Sequence, residues 1–99
     1  MLNMDWSTNV YSDVASLAVF SPGPERTRIV AGNLVSSQVV VGEVRARRRE
    51  EGLEVLAMIA GRAPVCVSEK GNLVVCASAE DQGTVTVHRC VCVYCSYHR

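Results

Sequence analysis

The chain has 99 residues with ten basic and ten acidic side chains, so its formal net charge is zero; 48% of residues are hydrophobic and only 5% aromatic. A chain of this length builds one domain around one modest core, and the balanced charge excludes a protein that binds polyanions over its whole surface. The apolar content is mostly valine and alanine, which suits strands and a thin core without large rings, and a thin core favours self-association.

Nine of the ten basic residues are arginines, Lys70 being the exception. Arginine suits bidentate contacts to carboxylate or phosphate, although a biased coding sequence produces the same imbalance. The five cysteines are an odd count. The first twenty residues lack a basic segment ahead of an apolar one and carry Asp5 and Asp13, so free thiols in a reducing cytoplasmic or nuclear compartment are expected. No apolar run approaches the roughly 18 residues of a membrane span, so no membrane partner is expected.

Met1 to Tyr11 shows no clean period and reads as an arm. Asp13 to Phe20 is a short apolar run that reads as a strand, and Ser21-Pro22-Gly23-Pro24 then breaks regular structure. Residues 1–24 are therefore expected to form an N-terminal arm with one short strand, ahead of a compact α+β domain over residues 25–99. Arg26 to Ala31 and Leu34 to Val41 flank Gly32-Asn33, a pair suited to a two-residue hairpin turn. That turn would set Arg28 opposite Ser37 and Arg26 opposite Val39. With Gly42 to Arg47 continuing the alternation, Arg26, Arg28, Arg45 and Arg47 would share one face.

Over Glu50–Ala60, Leu53, Leu56, Ala57 and Ala60 fall at i, i+3, i+4 and i+7, which predicts a helix. Glu50 and Glu51 suit its N-terminus, Gly61 its C-terminus and Pro64 its end, while Gly52 and the missing N-cap weaken it. Ala63 to Cys76 reads as a second hairpin turning near Gly71. Thr84 to Tyr94 then alternates as a long strand, with Val85, Val87, Val91 and Val93 on one face and Thr84, Thr86, His88, Cys90, Cys92 and Tyr94 on the other. The expected fold class is α+β: a mostly antiparallel sheet of two hairpins and a C-terminal strand, with a central helix packed on it.

Two clusters could carry chemistry. Cys92 and Cys95 form a CxxC with His98 at the same interval, a set of soft ligands for one zinc, with His88 or Cys90 as a fourth. A structural zinc site normally pairs two such knuckles and only one is present, so thiols packed as small hydrophobes are the favoured reading and no cofactor is expected. A redox role would want the first cysteine at a helix N-terminus, and a His88–Cys90 nucleophile pair lacks an orienting group. The chain carries no phosphate-cradling glycine loop, HExxH or GxSxG, so an enzyme is not expected.

Arg45-Ala46-Arg47-Arg48-Arg49, together with Arg26 and Arg28, is a candidate surface for nucleic acid or another partner, although Glu50, Glu51 and Glu54 can neutralise it and no aromatic platform accompanies it. The leading functional expectation is a small non-enzymatic interaction protein that forms a homodimer through strand edges, with Val85, Val87, Val91 and Val93 on the dimer edge, and binds another protein. Size and arginine bias also suit an accessory protein of a compact viral genome. The alternative is an RNA- or DNA-binding protein using Arg26, Arg28, Arg45, Arg47, Arg48 and Arg49.

Overall fold

A computed structural model describes residues 6–10, 13–45, 51–68 and 71–89. These residues form seven strands: β1 (Ser16–Phe20), β2 (Arg28–Gly32), β3 (Gln38–Arg45), β4 (Gly52–Ala60), β5 (Arg62–Val67), β6 (Leu73–Ala77) and β7 (Val85–Arg89). They assemble into two antiparallel sheets, of order β1-β2-β3-β4 and β5-β6-β7, so the chain meanders from each strand to its neighbour. The single change of sheet falls at Gly61, between β4 and β5. The fold is thus all-β among the described residues, and the α+β class expected from sequence is corrected.

The correction rests on the segment read as a helix. Gly52–Ala60 is strand β4, paired antiparallel with β3 from Gln38↔Ala60 to Arg45↔Gly52. The register shifts between Val41 and Gly42, where Val41 lies opposite Ala57 and Gly42 opposite Val55. Leu56 is therefore the extra residue of a β-bulge, and the strand's alternation reverses around it. Ala57 and Ile59 face the core on one side of the bulge and Leu56 joins them, so consecutive apolar residues meet one core. A strand with such a phase slip imitates the i, i+3, i+4 spacing of a helix.

The first hairpin is also offset from its expected register. Arg28 lies opposite Glu43, not Ser37, and Ala31 opposite Val40. The reason is the chemistry of Asn33, whose Oδ1 accepts hydrogen bonds from Val35 N (3.1 Å) and Ser36 N (2.6 Å) and winds the connection into a longer Asx-type loop. The Pro/Gly segment after β1 behaves as expected of a breaker. Ser21 Oγ lies 2.8 Å from the carbonyls of both Gly23 and Arg26, and Arg26 N donates to Gly23 O at 3.2 Å. Its two ends lead into paired strands, because β1 runs alongside β2 from Ser16↔Gly32 to Phe20↔Arg28.

The core fills the space between the sheets. Phe20, Val30, Val39 and Val41 come from the first, Val65, Val74 and Cys76 from the second, with Ala18, Leu56, Ala57, Ile59 and Val67 packed around them. Val30, Val39, Val41 and Val74 are fully buried, and each such side chain contributes about 1.5–3 kcal/mol relative to exposure. Strand β5 closes against the other sheet: Val65 N donates to Ser16 Oγ at 2.9 Å, and Ala63 N donates to Asn33 O at 3.0 Å. The second hairpin turns where expected, with Gly71 at φ 75° and placed so close to the Phe20 ring that a Cβ there would collide with it.

Candidate interaction surface

The faces turned away from the core are apolar as well. On the first sheet the register aligns Leu17, Ala31, Val40 and Met58 in one cross-strand row, and Val19, Ile29, Gly42 and Val55 in the next. None of these eight side chains is charged or can donate a hydrogen bond. The outer strands hold the large residues, and these are exposed: Leu17 57%, Val19 61%, Val55 51% and Met58 56%. The face therefore carries open apolar side chains along β1 and β4, while its centre is closed: Ala31 and Val40, on the central strands, are buried and the Leu53 side chain lies against Gly42. Sequence reasoning missed this surface, although a signal was available: in Leu17-Ala18-Val19-Phe20 both alternating sets are apolar, so both faces of that strand had to be.

The second sheet shows the same inversion. On β7, Thr86 lies opposite Cys76 and His88 opposite Val74, both partners being core residues, so the polar set of the alternation faces inward. Val85 and Val87, opposite Ala77 and Val75, turn outward and are more than half exposed. The strand alternates as expected, and its valine face lies on the surface. Arg89, on the same outer face opposite Leu73, ends that valine row with a charge. The other two residues of the expected dimer edge, Val91 and Val93, lie outside the described residues.

The arginines gather at one end of the first sheet with carboxylates between them. Glu43 accepts hydrogen bonds from Arg26 Nε and Nη2 at 3.2 and 3.0 Å and from Arg28 Nε at 3.0 Å; Arg28 is buried and Arg26 open to solvent. Hydrogen bonding from Arg26 holds the Glu43 carboxyl below the usual carboxylate range, against the opposing effect of burial and with further help from Arg28. Arg45, two residues along β3, pairs with Glu54 of β4. Three arginines thus face two carboxylates in two groups, of which only Arg28 and Glu43 are buried. Arg47, Arg48 and Arg49 lie outside the described residues.

Among the described residues, one thiol and the imidazole meet at a single backbone carbonyl. Cys76 Sγ lies 3.9 Å from the Ala60 carbonyl and His88 Nε2 lies 2.9 Å from the same oxygen. A carbonyl only accepts, so His88 carries its proton on Nε2 and is occupied in satisfying the point where β4 ends. Burial pushes the Cys76 thiol up, with the Arg62 backbone amide pulling partly the other way, which keeps it protonated and unreactive near neutrality. Cys66 sits exposed on the outer face of β5. The candidate zinc ligands Cys92, Cys95 and His98 lie outside the described residues, within which no group of three or more His, Cys, Asp or Glu could hold a metal. Among those residues no helix is long and apolar enough to cross a membrane. No protein-family model, curated protein or solved structure matches the chain.

Proposed function

We propose that this chain is a small non-enzymatic interaction protein that self-associates and binds another protein through the apolar surfaces of its sheets. The observation that carries the reading is the direction of the apolar side chains: Leu17, Val19, Val55 and Met58 on one sheet and Val85 and Val87 on the other point into solvent. Monomers rarely expose contiguous apolar patches beyond a few hundred Å², and larger ones mark contact sites. Nucleic-acid binding has less support, because Glu43 and Glu54 already engage Arg26, Arg28 and Arg45.

Sedimentation of the full chain at several concentrations and two salt levels tests the proposal. Association that persists from low to high salt is expected of an apolar contact. A chain that stays monomeric and instead binds RNA or DNA, with affinity falling linearly on a log–log salt plot, would replace this reading with the nucleic-acid one.

A further inference from the structure

We infer that Ser21 is a phosphorylation site: a proline-directed serine kinase transfers a phosphoryl group to its hydroxyl, and the phosphate opens the Ser21–Arg26 turn and draws Arg26 away from Glu43. The inference uses no part of the apolar surfaces and stands apart from the self-association proposed above.

Access comes first. Ser21 stands just beyond the end of β1, in a connection that belongs to no strand, and Ser21, Pro22, Pro24, Glu25 and Arg26 are all exposed. Pro22 follows it, the pair such kinases read, and a proline there carries no amide hydrogen that the enzyme would have to satisfy. Opening this turn for an enzyme breaks the Ser21 hydroxyl contacts and the Arg26 N to Gly23 O bond, none of which belongs to a sheet. The hydroxyl is chemically available as well. It donates toward Gly23 O and Arg26 O, each at 2.8 Å, and its oxygen accepts no hydrogen bond among the described residues. The oxygens of Ser16, Ser36, Ser68 and Ser78 each accept a backbone amide instead. The Ser21 Oγ lone pair is thus left to attack the γ-phosphorus of ATP. The Oγ–P bond forms, the bond from phosphorus to the β-phosphate oxygen breaks, ADP leaves and the hydroxyl proton passes to the kinase's aspartate.

The consequence follows from the same contacts. A phosphoserine brings about −1.5 to −2 of charge at neutral pH and acceptor oxygens only, so it cannot face the two carbonyls that the hydroxyl now clasps. The clasp also holds Glu25 at φ 58°, a left-handed conformation that a non-glycine residue rarely adopts, so its loss releases the turn. Pro22 and Pro24 offer the phosphate no amide, and Glu25 repels it. Arg26 is the cation at hand, its own carbonyl lying against Ser21 Oγ and its side chain 41% exposed beside Glu43. A phosphate of nearly two charges competes there with a carboxylate of one. Glu43 keeps its buried partner Arg28, so the switch moves the outer arginine and leaves the inner pair in place.

The test treats the folded full chain with a proline-directed serine kinase and magnesium ATP and locates the phosphate by peptide mass spectrometry, with strand content checked by circular dichroism. Wild type is expected to take up one phosphate, on the peptide that holds Ser21. Ser21→Ala should lose it and Ser21→Thr should keep it, while Pro22→Ala, with the same hydroxyl, should be modified about tenfold more slowly or worse. The contact with Arg26 is read separately, by phosphorus NMR of the modified chain. Its phosphate should titrate below the ordinary second pKa of about 6, and Arg26→Gln should return it to that value. No phosphate on wild type, or phosphate only at other residues, overturns the site. Equal rates for wild type and Pro22→Ala overturn the kinase class, and a phosphate that titrates alike with and without Arg26 overturns the switch.

Discussion

Glu43 is the residue on which the most local energy converges, since a carboxylate that is nearly inaccessible to water is shared by a buried and an exposed arginine. Glu43→Gln keeps the size of the side chain but takes the negative charge from beside buried Arg28, and breaking a buried pair on one side costs about 3 kcal/mol. Urea denaturation should show this as a lower midpoint with an unchanged slope. Because the native pKa of Glu43 is depressed, its contribution is fully present above the unfolded value of about 4.3 and disappears as pH falls through the native value. The stability gap between wild type and variant should therefore narrow below about pH 4. A gap that stays constant down to pH 2 would mean that the carboxylate charge contributes nothing. The two described thiols make a second test at this scale. Exposed Cys66 should react with an alkylating reagent in the native state, while Cys76, buried and protonated, should react only on unfolding, as peptide-resolved mass spectrometry can report.

At the scale of elements, what the sequence reveals depends on whether a segment follows one period throughout. β7 was legible over Val85–Arg89 because its alternation is unbroken there, and the hairpin around Gly71 because two apolar runs flank an unambiguous turn residue, although its register shift between Arg62 and Val65 was not. β4 was not, because the bulge at Leu56 changes the phase of the alternation halfway and leaves a spacing that a helix would also give. The β2–β3 register was hidden for a different reason: Gly32-Asn33 can form a tight turn, but Asn33 spends its side chain on Val35 N and Ser36 N and makes a wider one. The candidate site was half legible. The outward valines of β7 follow from simple alternation, whereas the Leu17–Met58 row needed the strand pairing. Turn chemistry also gives a paired prediction. Gly71 and Gly83 both have positive φ, 75° and 83°, but a Cβ on Gly71 meets the Phe20 ring while one on Gly83 meets open space. Gly83→Ala should cost about 1–2 kcal/mol for the backbone alone. Gly71→Ala should add about 1–3 kcal/mol of overpacking to that. Equal losses in thermal unfolding would contradict the close approach of this turn to the core.

For the whole molecule the governing fact is an inversion of the usual economy of a small sheet protein. Valine and alanine line both sides of the sheets, so the interior is well filled but a second apolar layer is left outside. The ion pairs Arg26–Glu43–Arg28 and Arg45–Glu54, meanwhile, sit at one end of the first sheet. Raising salt should therefore weaken the monomer's stability slightly at that end while leaving association unchanged or strengthened, particularly with sulfate, which promotes apolar burial. Light scattering and thermal unfolding in parallel salt series would separate these two responses. Association that collapses in moderate salt would assign the contact to the ion network instead.

Between Ala60 and Arg62 the chain passes from one sheet to the other through Gly61 alone, whose amide donates to Ser37 O at 3.0 Å and whose missing side chain makes room for Cys76 Sγ. No slack exists there for one layer to swing away while the other stays folded. Strand β5 is held on its other flank through Ser16 and Asn33, so opening either layer tears hydrogen bonds in both. The protein should accordingly melt in a single step, with calorimetric and van't Hoff enthalpies in agreement for the dissociated chain. Two or more glycines inserted after Gly61 should uncouple the layers, broadening the transition and lowering its cooperativity, while the same insertion in the exposed turn at Gln82-Gly83 should do neither.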